Sequence, residues 1–235
     1  MAGLLADLRE ANDLGHSEMA EPFAGGAGAS LSLLLDEAAS SIHINDADPA
    51  MHAFWWSLKT KPEELLARLS AMRVSMAEWH RQRELYRCTR RIGRLERGFA
   101  AFYLNRCNRS GIIVNGGPIG GIAQRGKWTI GARFNKPELR SRLQRIVEYR
   151  ERINVSGDDG IEFIRSMRGK GVFLFIDPPY YEKGPLLYLN ELSASYHRRL
   201  SQVLRAMPDE AWVLTYDDCE PIRRLYQGWA NVRSF

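Results

Sequence analysis

Apolar positions along the chain fall into short strand-like runs separated by stretches with helical spacing. Val172 to Ile176 are five consecutive large apolar residues, rich in β-branched and aromatic types, and predict a strand covered on both faces of a parallel sheet. Ser41 to Asn45, Arg152 to Ser156 and Trp212 to Tyr216 predict further short strands, and Glu18-Met19-Ala20 a poorly apolar one ahead of a glycine-rich turn. Spacing near three and four predicts helices over Leu4–Leu14, from Leu31 onward, over Ala50–Lys59, through residues 62–108, and over Lys136–Glu151, Gly160–Met167, Glu191–Met207 and Asp218–Gly228. Phe54, Trp55 and Trp56 read as core, and Leu85, Leu95, Phe99, Phe102 and Leu104 as inward positions of the helical stretch that begins after Pro62. GIIVNGGPIGGIAQRGKWTIGARFN has two β-rich runs around GGPIGG, which predicts a hairpin. Strands alternating with helices make this an α/β chain with a parallel sheet. The alternation is interrupted by an insertion, so the expected organisation is one domain from 1–59 and 136–235 with an inserted region at 60–135.

The length of 235 residues suits such an arrangement and allows a sizeable core. Cys88, Cys107 and Cys219 are odd in number and widely spaced, which argues against a disulfide framework or a zinc site. No metal is expected. There is no signal peptide and no long apolar run, so a cytoplasmic protein without a membrane segment is expected, with a monomer favoured. His43 and His52 lack partners at ligand spacing and read as structural.

Charge changes the picture more. The net +5 hides an asymmetry, because residues 73–109 hold ten arginines against three glutamates and residues 125–152 hold nine Lys or Arg against three. Those windows carry +7 and +6, which leaves about −8 for the remainder. A basic block inside an acidic α/β chain is the footprint of a polyanion partner, most simply nucleic acid, although any single arginine there also reads as a solvated helical face. Arg106, Asn108, Arg109, Asn115, Arg125, Lys127 and Arg133 flank or lie in the hairpin region, and a two-stranded element can enter a major groove.

Candidate chemistry centres on the end of the Val172–Ile176 run, at Asp177-Pro178-Pro179-Tyr180. Two successive prolines fix φ and remove two N–H donors, so the backbone turns out of the sheet in a stiff shape. A carboxylate, carbonyls and an aromatic ring are then held at the carboxyl end of a central strand, where open α/β sheets bind ligands. The arrangement fits an exocyclic amino group on a planar ring. Asp177 accepts one N–H, the Pro178 carbonyl the other, and Tyr180 stacks on the ring, which turns the lone pair out of the plane. The plainer reading is a proline turn with a capping Asp and a packed Tyr.

A second candidate site precedes it. Glu21-Pro22-Phe23 leads into Gly25, Gly26 and Gly28, a turn that lets backbone approach a ligand closely. It lacks the Gly-Lys-Ser/Thr ending of a triphosphate loop. Asp46 follows about 20 residues later at a strand end, the position of an acid that reaches ribose hydroxyls, while Asp48 before Pro49 reads as a helix cap. Of Asp158 and Asp159, one can accept from an amino group on a second adenine-like ring and the other reads as a helix cap.

EPFAGGAGAS, the NDAD after the second strand, FYLNRCNRSG, GARFNKPEL, INVSGDDGIEFI and IDPPYY occur in the order found in Dam-type (D12 class) adenine-N6-specific DNA methyltransferases, which the chain resembles from about Glu21 to Tyr226. The resemblance implies a Rossmann-like sheet binding S-adenosyl-L-methionine, double-stranded DNA as partner, and an inserted helical plus β-hairpin region for DNA recognition. It places Glu21, Pro22, Phe23, Gly25, Gly26 and Gly28 around the methionine part of the cofactor, Asp46 at its ribose and Asp159 at its adenine. Asp177, which also borders the cofactor, Pro178, Pro179 and Tyr180 form the site for a target adenine extruded from the duplex. A loop over Glu182–Asn190 is expected to close over that base. A cytosine-N4 or RNA acceptor, or a DNA-binding protein that keeps the fold without the activity, stays open at this point. The residues before His16 lack the aromatic-Gly-Lys segment usual in that family, so the chain reads as shortened at its N-terminus, and its end at Phe235 as omitting final strands.

Overall fold

The computed structural model describes residues 2–88, 90–181 and 192–234; the expected closing loop at Glu182–Asn190 lies outside them. Contacts divide the chain into two compact units, Met1–Ala47 with Ser156–Phe235, and Asp48–Val155.

The first unit is built on four strands in the order β2-β1-β4-β5, with β1 at Met19–Glu21, β2 at Ile42–Asn45, β4 at Phe173–Ile176 and β5 at Trp212–Leu214; of β3, Ile153–Ser156, only Ser156 belongs to this unit. β1 pairs in parallel with both β2 and β4, and β4 with β5. The four residues of β4 are all buried, as a central parallel strand requires. They alternate in facing. Leu174 and Ile176 join Ile161, Phe163 and Ile164 of α8 (Gly160–Met167), Leu200 and Leu204 of α9 (Ala194–Arg205) and Ile222 of α10 (Glu220–Tyr226) in one apolar cluster. Phe173 points the other way, beneath the guanidinium of Arg9 at 5.8 Å, on the side of α1 (Ala2–Glu10) and α2 (Gly28–Leu35). Arg9 is itself buried, and its Nη2 donates to the carbonyls of Leu14 and Ser17 at 3.1 and 2.6 Å, pinning the turn that feeds β1.

The strand order reverses between β1 and β4: after β1 the chain moves outward to β2, and it returns to the far side of β1 with β4. A crevice forms outside the carboxyl ends at such a switch point. Glu21 and Asp177 flank it, which is why these two sequence motifs meet.

The second unit is helical: α3 (Pro49–Thr60), α4 (Pro62–Ala71), α5 (Met76–Arg87), α6 (Arg94–Cys107) and α7 (Lys136–Glu148). Asp48 caps α3 as expected, its Oδ1 accepting from the Ala50 N–H at 2.7 Å, while Oδ2 accepts from the Tyr86 hydroxyl at 2.8 Å. α3 and α6 cross so closely at Gly98 that a Cβ there would collide with the backbone of Ala53 and Phe54. Phe54 and Trp55 are buried, whereas Trp56 is half-buried under the Arg94 guanidinium at 4.9 Å. The helical stretch after Met76 is two helices, broken between Cys88 and Gly93.

The expected hairpin does not form. Among the described residues of 108–134 there is one antiparallel bridge, Asn108 with Pro118, and turns are closed by local bonds such as Gly121 N–H to Pro118 O and Gln124 N–H to Gly121 O. Gly120, Gly121 and Gln124 adopt φ of 85°, 72° and 50°. These left-handed positions fold the β-rich runs back on themselves before a ladder can extend. No helix among the described residues is long and apolar enough to cross a membrane.

Candidate active site

Four strand ends of the first unit supply its polar groups. At the end of β1, Glu21 is 4% exposed and accepts from the Ser30 hydroxyl at 2.5 Å and the Ser30 N–H at 3.3 Å. Burial pushes its carboxyl up to about 7; the Ser30 donors oppose the rise and the Asp177 charge adds to it. Pro22 is buried behind it. The Phe23 ring lies against the first turn of α8, so close that a Cβ on Gly160 would be 2.5 Å from it. Beyond Phe23 the chain turns through Gly25, with φ of 48°, and Ala27, with φ of 47°, into α2. A Cβ placed on Gly25, Gly26 or Gly28 would meet no atom within 4 Å, so the turn borders open room instead of packed protein. The N–H of Gly25 donates to Asp46 Oδ2 at 2.8 Å, which sets that carboxylate at the rim of the same space.

At the end of β2, immediately before Asp46, stands Asn45, fully buried. Its Nδ2 donates to Pro22 O at 2.9 Å and Asp158 O at 3.0 Å, while its Oδ1 accepts from Asp158 N–H and the Ser156 hydroxyl, both at 2.8 Å. One amide thus joins the turn after β1 to the turn after β3. At the latter, Asp159 is the helix cap: its Oδ1 accepts from the N–H groups of Ile161 and Glu162 at 3.0 and 3.3 Å. The other acid of the pair, Asp158, is exposed.

At the end of β4, Asp177 is exposed, Pro178 buried, and Pro179 and Tyr180 half-buried. The Thr215 hydroxyl donates to Asp177 Oδ1 at 2.5 Å. Oδ2 has no partner among the described residues. The Tyr180 ring lies 6.5 Å from that of Tyr216, tilted by 43°, and the Tyr181 N–H donates to Asp217 Oδ1 at 3.0 Å. Among the described residues, Asp177 bonds a side chain of the neighbouring strand end and no helix N–H.

The first unit therefore brings together the glycine turn, Glu21, Asp46, Asp159 and Asp177-Pro178-Pro179-Tyr180. Sequence reasoning missed Asn45, Thr215, Tyr216 and Asp217. The signal available was position: each closes or follows a strand run at its carboxyl end, as Asp177 does.

In the second unit, Arg109, Asn115, Arg125, Lys127 and Arg133 are exposed. Arg106 is half-buried with Nε and Nη2 on Asn105 Oδ1, and burial lowers its pKa. Asn108 departs from expectation. It is fully buried, accepting from Trp79 Nε1 at 2.7 Å and donating to Ile112 O at 2.7 Å, so its amide is a structural brace and not an outward contact. The turn region is braced likewise by Gln124, which donates to the carbonyls of Ile119 and Gly121 at 2.8 and 2.6 Å and accepts from Ile130 N–H at 2.8 Å. It presents Ile122 and Trp128, 64% and 65% exposed, with the Lys127 ammonium over the Trp128 ring at 5.7 Å.

A family model for D12 class N6 adenine-specific DNA methyltransferases matches residues 4–234. No curated protein matches the chain.

Proposed function

The chain belongs to the D12 class N6 adenine-specific DNA methyltransferase family, and we propose that its methyl transfer takes place in the crevice between the carboxyl ends of β1 and β4. The carrying observation is the pairing of an open glycine turn with a carboxylate-Pro-Pro-aromatic segment on the two strands that flank the switch in strand order. S-adenosyl-L-methionine, when bound, supplies an electrophilic methyl group. The residues present fit it. The space over Gly25, Gly26 and Gly28 admits its methionine part, with Glu21, Pro22 and Phe23 lining the turn, and Asp46 stands where ribose hydroxyls are accepted. Asp159, whose Oδ1 caps α8 and whose carboxylate also meets the Tyr196 hydroxyl, stands at the adenine end of the pocket.

The acceptor is held by the other motif. Asp177 Oδ2 takes one N–H of the target amino group and the Pro178 carbonyl takes the second, which turns the nitrogen lone pair out of the ring plane. Tyr180 stacks on the base, and Pro179 keeps the segment stiff. With the amino group so held, transfer would form the N6–carbon bond as the donor's carbon–sulfur bond broke, and N6 would give up one proton to solvent. A base within a duplex cannot present N6 to this crevice, so the target adenine leaves the stack. Double-stranded DNA is bound through Arg109, Asn115, Arg125, Lys127 and Arg133, with Arg106 adding charge from its half-buried position.

Expression in a methylation-deficient bacterium, followed by sequencing that detects modified bases, tests the reading. N6-methyladenine at a fixed motif is expected. Modified cytosine, or no modified base, contradicts it.

A further inference from the structure

Thr215-Tyr216-Asp217 leaves β5 alongside Asp177 to Tyr181 leaving β4, and the two segments run in step. The Thr215 N–H donates to Ile176 O at 3.0 Å, continuing the ladder by one residue beyond β5. The three residues then each engage the neighbouring segment: the Thr215 hydroxyl on Asp177 Oδ1, the Tyr216 ring beside that of Tyr180, and Asp217 Oδ1 on the Tyr181 N–H. Tyr216 is anchored from behind by His197, whose Nδ1 lies 2.6 Å from its hydroxyl. Burial raises the phenol and lowers the imidazole, so the pair is neutral and shares one proton between them. His197 is itself 1% exposed and lies 5.3 Å, centroid to centroid, from Tyr181.

We propose that Thr215 is a positioning residue for the acceptor: its hydroxyl holds Oδ1 of Asp177 and so assigns Oδ2 to the amino group of the target base. The inference rests on the adenine reading above. An Asp side chain has a broad, roughly two-fold terminal torsion, and an exposed one samples it freely unless a partner fixes the plane. Thr215 offers one proton and two acceptors within reach, Asp177 Oδ1 at 2.5 Å and Ile176 O at 3.5 Å. The shorter, charge-assisted bond takes it. With the carboxylate plane fixed, Oδ2 points consistently toward the acceptor nitrogen, and the alignment that in-line displacement needs is present before the base arrives. Valine at this position keeps the shape and removes the donor; serine keeps the donor.

The test uses the full chain. Thr215→Val, Thr215→Ala and Thr215→Ser are compared with wild type for kcat, for KM toward DNA and S-adenosyl-L-methionine, and for Tm. Thr215→Val and Thr215→Ala are expected to lower kcat on the order of ten- to a hundredfold with both KM values and Tm close to wild type, and Thr215→Ser to recover most of the loss. Because the alanine variant adds no bulk, it carries the comparison should valine disturb the strand end. Wild-type kcat in the valine and alanine variants, equal impairment of the serine variant, or a loss confined to KM or Tm would overturn the inference while leaving the adenine reading intact. A wild-type chain that methylates no adenine would overturn both.

Discussion

Asn45 and Asp158, 113 positions apart, exchange a reciprocal pair of hydrogen bonds: the Asp158 N–H donates to Asn45 Oδ1 at 2.8 Å and Asn45 Nδ2 donates back to the Asp158 carbonyl at 3.0 Å. Because the same amide also holds Pro22 O, one buried side chain sets the spacing between the turn after β1 and the turn after β3. Removing it strands buried backbone groups, each worth about 1–3 kcal/mol. Asn45→Ala should therefore lower Tm by roughly 6 °C or more and weaken S-adenosyl-L-methionine binding, measured by scanning calorimetry and isothermal titration. Asn45→Asp should be worse than alanine, because an oxygen would face the carbonyls of Pro22 and Asp158. An alanine variant with wild-type Tm and affinity would show that the turns hold their spacing without it.

Glu21 makes stability depend on pH. Its ordinary value is 4.5 and in the fold it is pushed up to about 7, chiefly by burial. Below about 4.5 the carboxyl is protonated in both folded and unfolded chains and its contribution is fully present; that contribution is lost as pH rises through about 7, where the folded chain must ionise a buried group. The loss is roughly 3 kcal/mol at full titration. Glu21→Gln keeps an acceptor for Ser30 and cannot ionise. Thermal unfolding between pH 5 and 8 should show the glutamine variant gaining on wild type as pH rises, and parallel curves would contradict the assignment.

The glycine turn and Asp177-Pro178-Pro179-Tyr180 were legible in the sequence because their geometry is local: prolines and glycines set backbone shape wherever they stand. β4 was legible for the same kind of reason, since Val172 to Ile176 leave no polar position for a solvent-facing side. Asn45 and Thr215 were not. Each is one polar residue among many, and its role arises only when parallel pairing brings a strand end beside another that is distant in sequence. Asn108 was misjudged in the opposite direction, a polar residue in a basic stretch that turns out to brace Trp79 and Ile112. The hairpin reading weighed the β-branched runs above the glycines between them, and left-handed backbone at Gly120 and Gly121 decided otherwise.

DNA binding should weaken steeply with salt, and the slope can be apportioned. Arg125 and Lys127 are exposed in the braced turn region, where neither makes an ion pair among the described residues. If each neutralises a phosphate, replacing both with glutamine should reduce the slope of log affinity against log salt by about 1 to 2. Fluorescence anisotropy across a salt series reads this directly. An unchanged slope would remove both residues from the DNA-facing set.

Asp177 acts, in the proposed reaction, on the acceptor and not on the donor or on the fold. The most direct measurement is single-turnover methylation of DNA bearing the chain's own motif, run in parallel for wild type and Asp177→Ala with calorimetric binding of S-adenosyl-L-methionine and DNA. Asp177→Ala is expected to lose methyl transfer by roughly a thousandfold or more while both affinities stay within a few-fold of wild type. Transfer at a rate near wild type, or a loss explained wholly by failure to bind the cofactor, would contradict it.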